Sequence, residues 1–480
     1  MTNKIRKLQN LSSLLEPDKE KRFELLTNVM KYSDDFLQNV STLPAYQITE
    51  DKGIGIYDSP IQDESIPVEE LLQILKINVD TPGLNPASGG HLGYIPGGGI
   101  FYSALGDYLA AVTNRYSGVF FASPGAVRME NMLTDWMGKI IGYPSTAGGN
   151  LTSGGSIANL TGIVTARDAH GIKGKDFEKT VVYLSEQVHH SVDKALRISG
   201  VDECIKRYIP LDDKYRMIAP LLEKQIVEDK KAGLNPWLVI ASAGTTNTGS
   251  VDPITDISSI AQRYKLWLHI DAAYGGFFVL CDSGKSILKG LDQSDSIVMD
   301  PHKGLFLPYG TGAVLIKDKM SMLKSHYYEA DYMQDALDPA NEVAPADLSP
   351  ELSKHFRGLR MWLPLKLAGV GSFKAALEEK ILLARYFYER LSIVDGFELG
   401  PYPDLSVVTY RYKPEHGDIN SFNKKLVNEV QKDGRVFISS TMLNGNFTLR
   451  LAVLAFRTHL ETVDTLLEVL KEKTELLLNE

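Results

Sequence analysis

Leu266-Trp267-Leu268-His269-Ile270-Asp271-Ala272-Ala273 and, further along, Ser296-Ile297-Val298-Met299-Asp300-Pro301-His302-Lys303-Gly304 are two short apolar runs that each lead into a charge. Runs this brief, rich in β-branched and large apolar side chains, predict strands buried on both faces. Three more lie at 181–184 (Val-Val-Tyr-Leu), 237–241 (Trp-Leu-Val-Ile-Ala) and 313–316 (Ala-Val-Leu-Ile). Helix-length segments separate several of them. The alternation from about 140 to 318 predicts an α/β fold, a mainly parallel sheet with helices on both faces. Ligands bind such sheets beyond the C-terminal ends of the strands. Asp271 and Lys303 stand at that edge with opposite signs.

Three loops are predicted at the same edge. Leu151-Thr152-Ser153-Gly154-Gly155-Ser156 precedes a helix bearing Ile157, Leu160, Ile163 and Val164. Glycines there let the backbone approach an anion, and Ser156 with the free N–H groups of the first helical turn can cradle it. The loop is neither a Walker sequence, since no Gly-Lys-Ser/Thr follows, nor a Gly-x-Gly-x-x-Gly fingerprint. Gln187-Val188-His189-His190-Ser191 follows the strand at 181–184, and a histidine there can stack on a flat heteroaromatic ring. Adjacent histidines also suit a metal, but no third ligand stands at a standard spacing, so no metal is expected. Ala241-Ser242-Ala243-Gly244-Thr245-Thr246-Asn247-Thr248-Gly249-Ser250 is a hydroxyl-rich loop after the strand at 237–241. Taken singly, each is an ordinary turn or cap. In this order they fit pyridoxal phosphate: an amine for the Schiff base, a carboxylate for the pyridine nitrogen and a cradle for the phosphate.

The bulk properties exclude other classes. With 44% apolar and 23% charged residues the chain is an ordinary globular protein. A net charge of −9 without a basic stripe argues against nucleic acid as a partner. No apolar run reaches the roughly 18–20 residues of a membrane span, and the N-terminus lacks a signal-peptide core. Cys204 and Cys281 are the only cysteines, which excludes a disulfide framework and suits the cytoplasm.

Outside the alternating region, residues 17–40 predict an amphipathic helix. Its stripe of Leu25, Leu26, Val29, Met30, Phe36, Leu37 and Val40 packs either on its own domain or across to a second subunit. Residues 80–100 read as a Gly- and Pro-rich loop. Residues 325–350, with Tyr327, Tyr328 and Tyr332, lack a sustained period and read as a lid or mobile binding loop. A helical stretch at 364–393, strands at 407–412 and 447–453 and a final helix over 460–478 predict a smaller α+β unit. The expected division is an N-terminal helical segment over 1–85, a large cofactor-binding domain over 86–375 and a small C-terminal α+β domain over 376–480.

His269-Ile270-Asp271-Ala272-Ala273-Tyr274 together with Asp300-Pro301-His302-Lys303 resembles the group II pyridoxal-phosphate-dependent amino-acid decarboxylases, the aromatic-L-amino-acid type in particular. His91, Tyr94 and Pro96, Ala122-Ser123-Pro124, Trp136, the 152–160 loop, Gln187-Val188-His189, Gly244-Thr245-Thr246, Phe356-Arg357, Met361-Trp362 and Arg450-Leu451-Ala452 extend the resemblance over about residues 20–475. It implies a fold type I homodimer with seven strands in the large sheet and active sites at the subunit interface. It implies that Lys303 carries the cofactor, Asp271 pairs with the pyridine nitrogen, and His189, rather than His190, stacks on the ring. Ala273 would pack on the other ring face. Gly155, Ser156 and His302 would lie at the phosphate, and Thr246 near the ring oxygen or the substrate carboxylate. Tyr94, Ile95 and Pro96 correspond to substrate-pocket positions. The implied reaction releases CO₂ and an amine from an L-amino acid, an aromatic or apolar one by the Tyr94-Ile95-Pro96 segment.

Three departures matter. Asp300 stands where the animal enzymes carry Asn, and a carboxylate beside a phosphate is expected to turn away or to meet a donor. Gly304 replaces a bulky aromatic. No tyrosine aligns at the position of the family's loop proton donor, which here reads Val343-Ala344-Pro345-Ala346. Tyr327, Tyr328 and Tyr332 lie upstream as lid candidates. That gap keeps open oxidative decarboxylation–deamination to an aldehyde, or aldol-type lyase chemistry. A non-catalytic dimer is the reading of a different class, and intact Lys303, Asp271 and His189 argue against it.

Overall fold

The structure is a computed structural model that describes residues 1–95, 97–327 and 342–479. Its centre is a seven-stranded sheet: β1 (Gly148–Thr152), β2 (Thr180–Leu184), β3 (Ile205–Tyr208), β4 (Asn235–Ser242), β5 (Trp267–Asp271), β6 (Ser296–Met299) and β7 (Gly312–Ile316). The spatial order is β1-β7-β6-β5-β4-β2-β3. Only β7 runs against its neighbours, pairing antiparallel with both β1 and β6. The other contacts are parallel.

Alternate residues of each strand enter different cores, which is the two-residue period of a doubly covered sheet. Val181, Tyr183, Val239, Ala241, Leu268, Ile270, Ile297 and Met299 pack on one face with Leu133, Met137, Leu222, Ile226 and Ile257 from three helices. Val182, Leu184, Leu238, Ile240, Trp267 and Val298 face the opposite way. They meet Ala158, Ile163 and Ala166 of helix Gly155–Ala169 and Val192, Ala195 and Leu196 of helix His190–Ile198.

A second sheet of four antiparallel strands follows: β8 (Phe397–Leu399), β9 (Val407–Tyr412), β10 (Ser439–Leu443) and β11 (Asn446–Ala452), in the order β8-β9-β11-β10. Helices Gly369–Ser392, Ile419–Asp433 and Leu460–Leu478 close its core around Phe387, Leu426, Leu451 and Leu466. Leu92, from the glycine-rich segment, joins that core, and Leu92 N–H bonds Phe437 O at 2.8 Å.

Helix Lys19–Asn39 forms where its period predicts, with Asp18 accepting from Lys21 N as its cap. It buries none of its residues, and Phe23 and Met30 are 73% and 67% exposed. The stripe is covered only in part: Leu25, Phe36 and Leu37 are half-buried and Val40 is buried, whereas Leu26, Val29 and Met30 stay exposed, and helix Thr2–Ser12 buries none of its residues. Among the described residues no helix is long and apolar enough to cross a membrane.

Candidate active site

The C-terminal ends of β1, β2, β4, β5 and β6 converge on one cavity of about 450 Å³. Lys303, Asp271, His189, Ala273, Gly155, Ser156, Thr246 and His302 all line it. Asp271 ends β5 in register with Ser242 of β4 and Val298 of β6. Lys303 sits on the single helical turn Pro301–Gly304 that follows β6. Pro301 opens that turn at a position where its missing N–H costs nothing.

Lys303 Nζ lies 3.1 Å from Asp300 Oδ2. Asp300 is 1% exposed, and its Oδ1 has no hydrogen-bond partner among the described residues. The carboxylate does not turn away from the Gly154–Gly155 loop; it lies against it and meets the lysine as donor. A Cβ on Gly155 would stand 2.8 Å from Asp300 Oδ2. Any larger residue there would displace the carboxylate, and Gly154, at φ +151°, holds a backbone shape that L residues rarely adopt. Two glycines and the free N–H groups of the first turn of helix Gly155–Ala169 make a concave pocket with the donors an anionic group needs. The unpaired Asp300 Oδ1 beside them is an acceptor, and it needs a donor of its own.

Asp271 is 7% exposed. Its Oδ1 accepts from Ala273 N–H at 3.1 Å and its Oδ2 from Asn159 Nδ2 at 3.2 Å. His189 caps helix His190–Ile198, its Nδ1 accepting from Ser191 N–H at 3.2 Å. Burial pulls its imidazole below the ordinary histidine value, aided by His190 and Lys303 and opposed by Asp271. His302 Nδ1 lies 2.7 Å from Thr311 O, and burial lowers it too.

The hydroxyl loop is cross-linked within itself. Thr248 Oγ1 lies 2.8 Å from both Thr245 Oγ1 and Ser250 Oγ. Arg450 of β11 is 3% exposed and bonds Asn247 O at 2.9 Å, Ser439 Oγ at 2.8 Å and Thr246 O. Burial lowers that guanidinium to about 10. Asp252 anchors the far end of the loop, accepting from Met217 N–H at 2.7 Å and Ser242 N–H at 2.8 Å. Burial pushes its carboxyl up to about 6 against those two bonds. A carboxyl whose folded value exceeds its unfolded value favours the fold when protonated. That contribution is complete below about pH 4 and is lost as pH rises through 6. The melting temperature of wild type should therefore fall relative to Asp252→Asn between pH 4 and 7, by the equivalent of about 2 kcal/mol. A pH-independent difference between the two proteins would rule out a buried titration.

The structure does not bring every expected residue to the cavity. Tyr94 is 57% exposed, at φ +53°, and neither it nor Ile95 is among the lining residues. Pro96, Tyr328 and Tyr332 lie outside the described residues. Tyr327 ends helix Lys319–His326 and is 43% exposed. Residues 342–357 rejoin the site from behind, where Asn150 Nδ2 bonds Pro345 O at 2.7 Å and Lys354 Nζ bonds Asn150 Oδ1 at 2.8 Å. Lys354 also pairs with Glu130 at 2.8 Å, both fully buried. Sequence reasoning missed Asn159, Ser191, His269 and Asp252. Asn159 offered no signal of its own, because its partners Ser191 and Asp271 lie 32 and 112 residues away.

Residues 62–413 match the pyridoxal-dependent decarboxylase conserved domain. An aromatic-L-amino-acid decarboxylase of Bacillus atrophaeus is 34% identical over 417 residues, covering 85% of this chain and 86% of that one. A phenylacetaldehyde synthase of Petunia hybrida is 30% identical over 493 residues, covering 98% and 96%. Among solved structures, Oryza sativa TDC with PLP and tryptamine superposes with a TM-score of 0.90 at 24% identity, covering 96% of this chain and 99% of that chain. At that identity the superposition speaks for the fold.

Proposed function

Because the chain belongs to the pyridoxal-dependent decarboxylase family, we propose that it converts an L-amino acid with an aromatic or apolar side chain to the amine and CO₂. The observation that carries this is the convergence of Lys303 Nζ and the Asp271 carboxylate on one cavity that also has an anion cradle. When bound, pyridoxal phosphate supplies an aldehyde for amines and a conjugated ring that accepts the electron pair left by departing CO₂. Every residue needed to hold it is present. Lys303 would bind the aldehyde carbon and later release the product amine. Asp271 would keep a proton on the pyridine nitrogen. His189 and Ala273 would flank the ring. The Gly155 N–H, Ser156 and His302 would hold the phosphate, and Thr246 would lie near the ring oxygen or the substrate carboxylate. Tyr94, Ile95 and Pro96 would shape the substrate end, and Tyr327, Tyr328 and Tyr332 are the lid candidates for returning a proton to Cα.

The working unit we infer is a cytoplasmic homodimer. The uncovered apolar residues of helices Thr2–Ser12 and Lys19–Asn39, with exposed Tyr102, Tyr108 and Val112 on helix Phe101–Thr113, support a second copy as the partner. Free, buried Cys204 and Cys281 suit a reducing compartment.

A panel of the common L-amino acids tests the reaction. Equimolar CO₂ and amine from an aromatic member is the expected result. The similarity to the phenylacetaldehyde synthase along nearly the whole chain supports a second reading. There, O₂ and water are consumed and aldehyde, ammonia and hydrogen peroxide accompany CO₂. Release of peroxide with each CO₂ would select that reading over simple decarboxylation.

A further inference from the structure

A chain of buried hydrogen bonds runs behind the cavity, and its donors can be assigned one after another. Asn159, 1% exposed, places Nδ2 3.2 Å from Asp271 Oδ2 and 3.0 Å from Ser191 Oγ, and Oδ1 2.8 Å from His269 Nε2. A flipped amide would set oxygen against the carboxylate, so the charge on Asp271 orients Asn159. With Oδ1 turned to His269, that ring must carry its proton on Nε2. His269 is fully buried and lowered to about 4, so it is neutral, and its Nδ1 accepts. The donor is Ser296 Oγ at 2.7 Å, whose own lone pair receives Trp267 Nε1–H at 2.7 Å.

The other branch is equally determined. Ser191 Oγ receives one hydrogen from Asn159 Nδ2, so its single hydrogen goes to His189 Nδ1 at 2.7 Å. The Ser191 N–H independently points at the same nitrogen. His189 Nδ1 is therefore an acceptor, and the ring proton resides on Nε2.

We propose that Asn159 is a positioning residue that carries the orientation set by Asp271 to two histidines, holding His189 and His269 as their Nε2–H tautomers and aiming Asp271 at the cofactor. No other side chain bonds both the carboxylate and the support of the stacking imidazole among the described residues. The cofactor half of the proposal rests on the function proposed above; the tautomer half does not.

Nitrogen-15 NMR of histidine-labelled, cofactor-free protein reads the tautomers, with the signals assigned by their loss in His189→Gln and His269→Gln. Wild type is expected to carry the proton on Nε2 in both rings. Asp271→Asn removes the charge that orients the amide. Both histidines should then become tautomer mixtures, although neither forms a hydrogen bond to Asp271. Asn159→Leu should mix His189 as well and weaken pyridoxal phosphate binding about tenfold or more, the cost of a lost bond to a charged group. Circular dichroism checks that the leucine variant is folded, and Asp271→Asn keeps the question decidable if it is not. A wild-type His189 proton on Nδ1, or wild-type tautomers in both variants, overturns the network. Responsive tautomers with unchanged cofactor affinity overturn the positioning of Asp271 alone. Wild type that binds no cofactor would instead sink the functional reading and leave the tautomer result standing.

Discussion

Lys303→Ala decarboxylates at least about 10⁴-fold more slowly than wild type and shows no absorbance near about 420 nm when pyridoxal phosphate is added. Among the described residues that line the cavity, Lys303 is the only lysine. The loss has two parts. The nucleophile proposed to bind and release the aldehyde carbon is gone. Asp300, fully buried, also loses its ion-pair partner at 3.1 Å and keeps only His302, 3.9 Å away, as a basic neighbour beside the Gly154–Gly155 loop. Lys303→Arg separates the parts. It keeps a cation for Asp300 but offers no nucleophile, so it should bind the cofactor better than Lys303→Ala and remain as inactive. Borohydride treatment adds a second readout: the wild-type chain gains the mass of the reduced cofactor, and neither variant does. A Lys303→Ala protein within tenfold of the wild-type rate would sink the proposed mechanism.

How much of this was readable from the chain follows from the ranges of the forces involved. Asp271 and Lys303 were legible because a strand buried on both faces admits no charge along its length, so a charge at its end marks the edge of the sheet. The Gly154–Gly155 loop and His189 follow from the same rule, each standing just beyond a strand. Asn159 was not legible, because an asparagine in a helix with apolar neighbours has no periodic signature. Its partners are 32 and 112 residues away and meet only once the sheet order is known. Asp300 was read only in part. Like-charge repulsion suggested avoidance or a donor, and the chain took the donor, because Lys303 falls three residues on, on the same side of one helical turn. Tyr94 shows a different limit. It is 57% exposed on a turn held by Ser439 and Phe437, and a sequence pattern carries no information about what would cover such a surface in an assembly.

Asp271→Asn is expected to lower kcat by about 10² to 10⁴-fold with little change in KM. On the proposed function, charge would build on the pyridine ring only as CO₂ leaves, so a carboxylate held opposite the ring nitrogen would act mainly on the transition state. The substitution is nearly isosteric. An oxygen still accepts from Ala273 N–H, whose bond in wild type is 3.1 Å, so the strand end should hold its shape. What changes is the charge: a buried amide cannot keep a proton on the pyridine nitrogen, the role proposed for this carboxylate, which is 7% exposed. A charge-based loss can be told from a steric one by supplying the charge elsewhere. In Asp271→Ala there is room for a cofactor methylated on its ring nitrogen, which is cationic without any proton. That pairing should recover at least about tenfold of the lost rate, while the same analogue in wild type should be impaired by crowding against Asp271. Equal rates for the methylated and ordinary cofactors in Asp271→Ala would show that Asp271 acts through shape, and the electrostatic role assigned to it would fall.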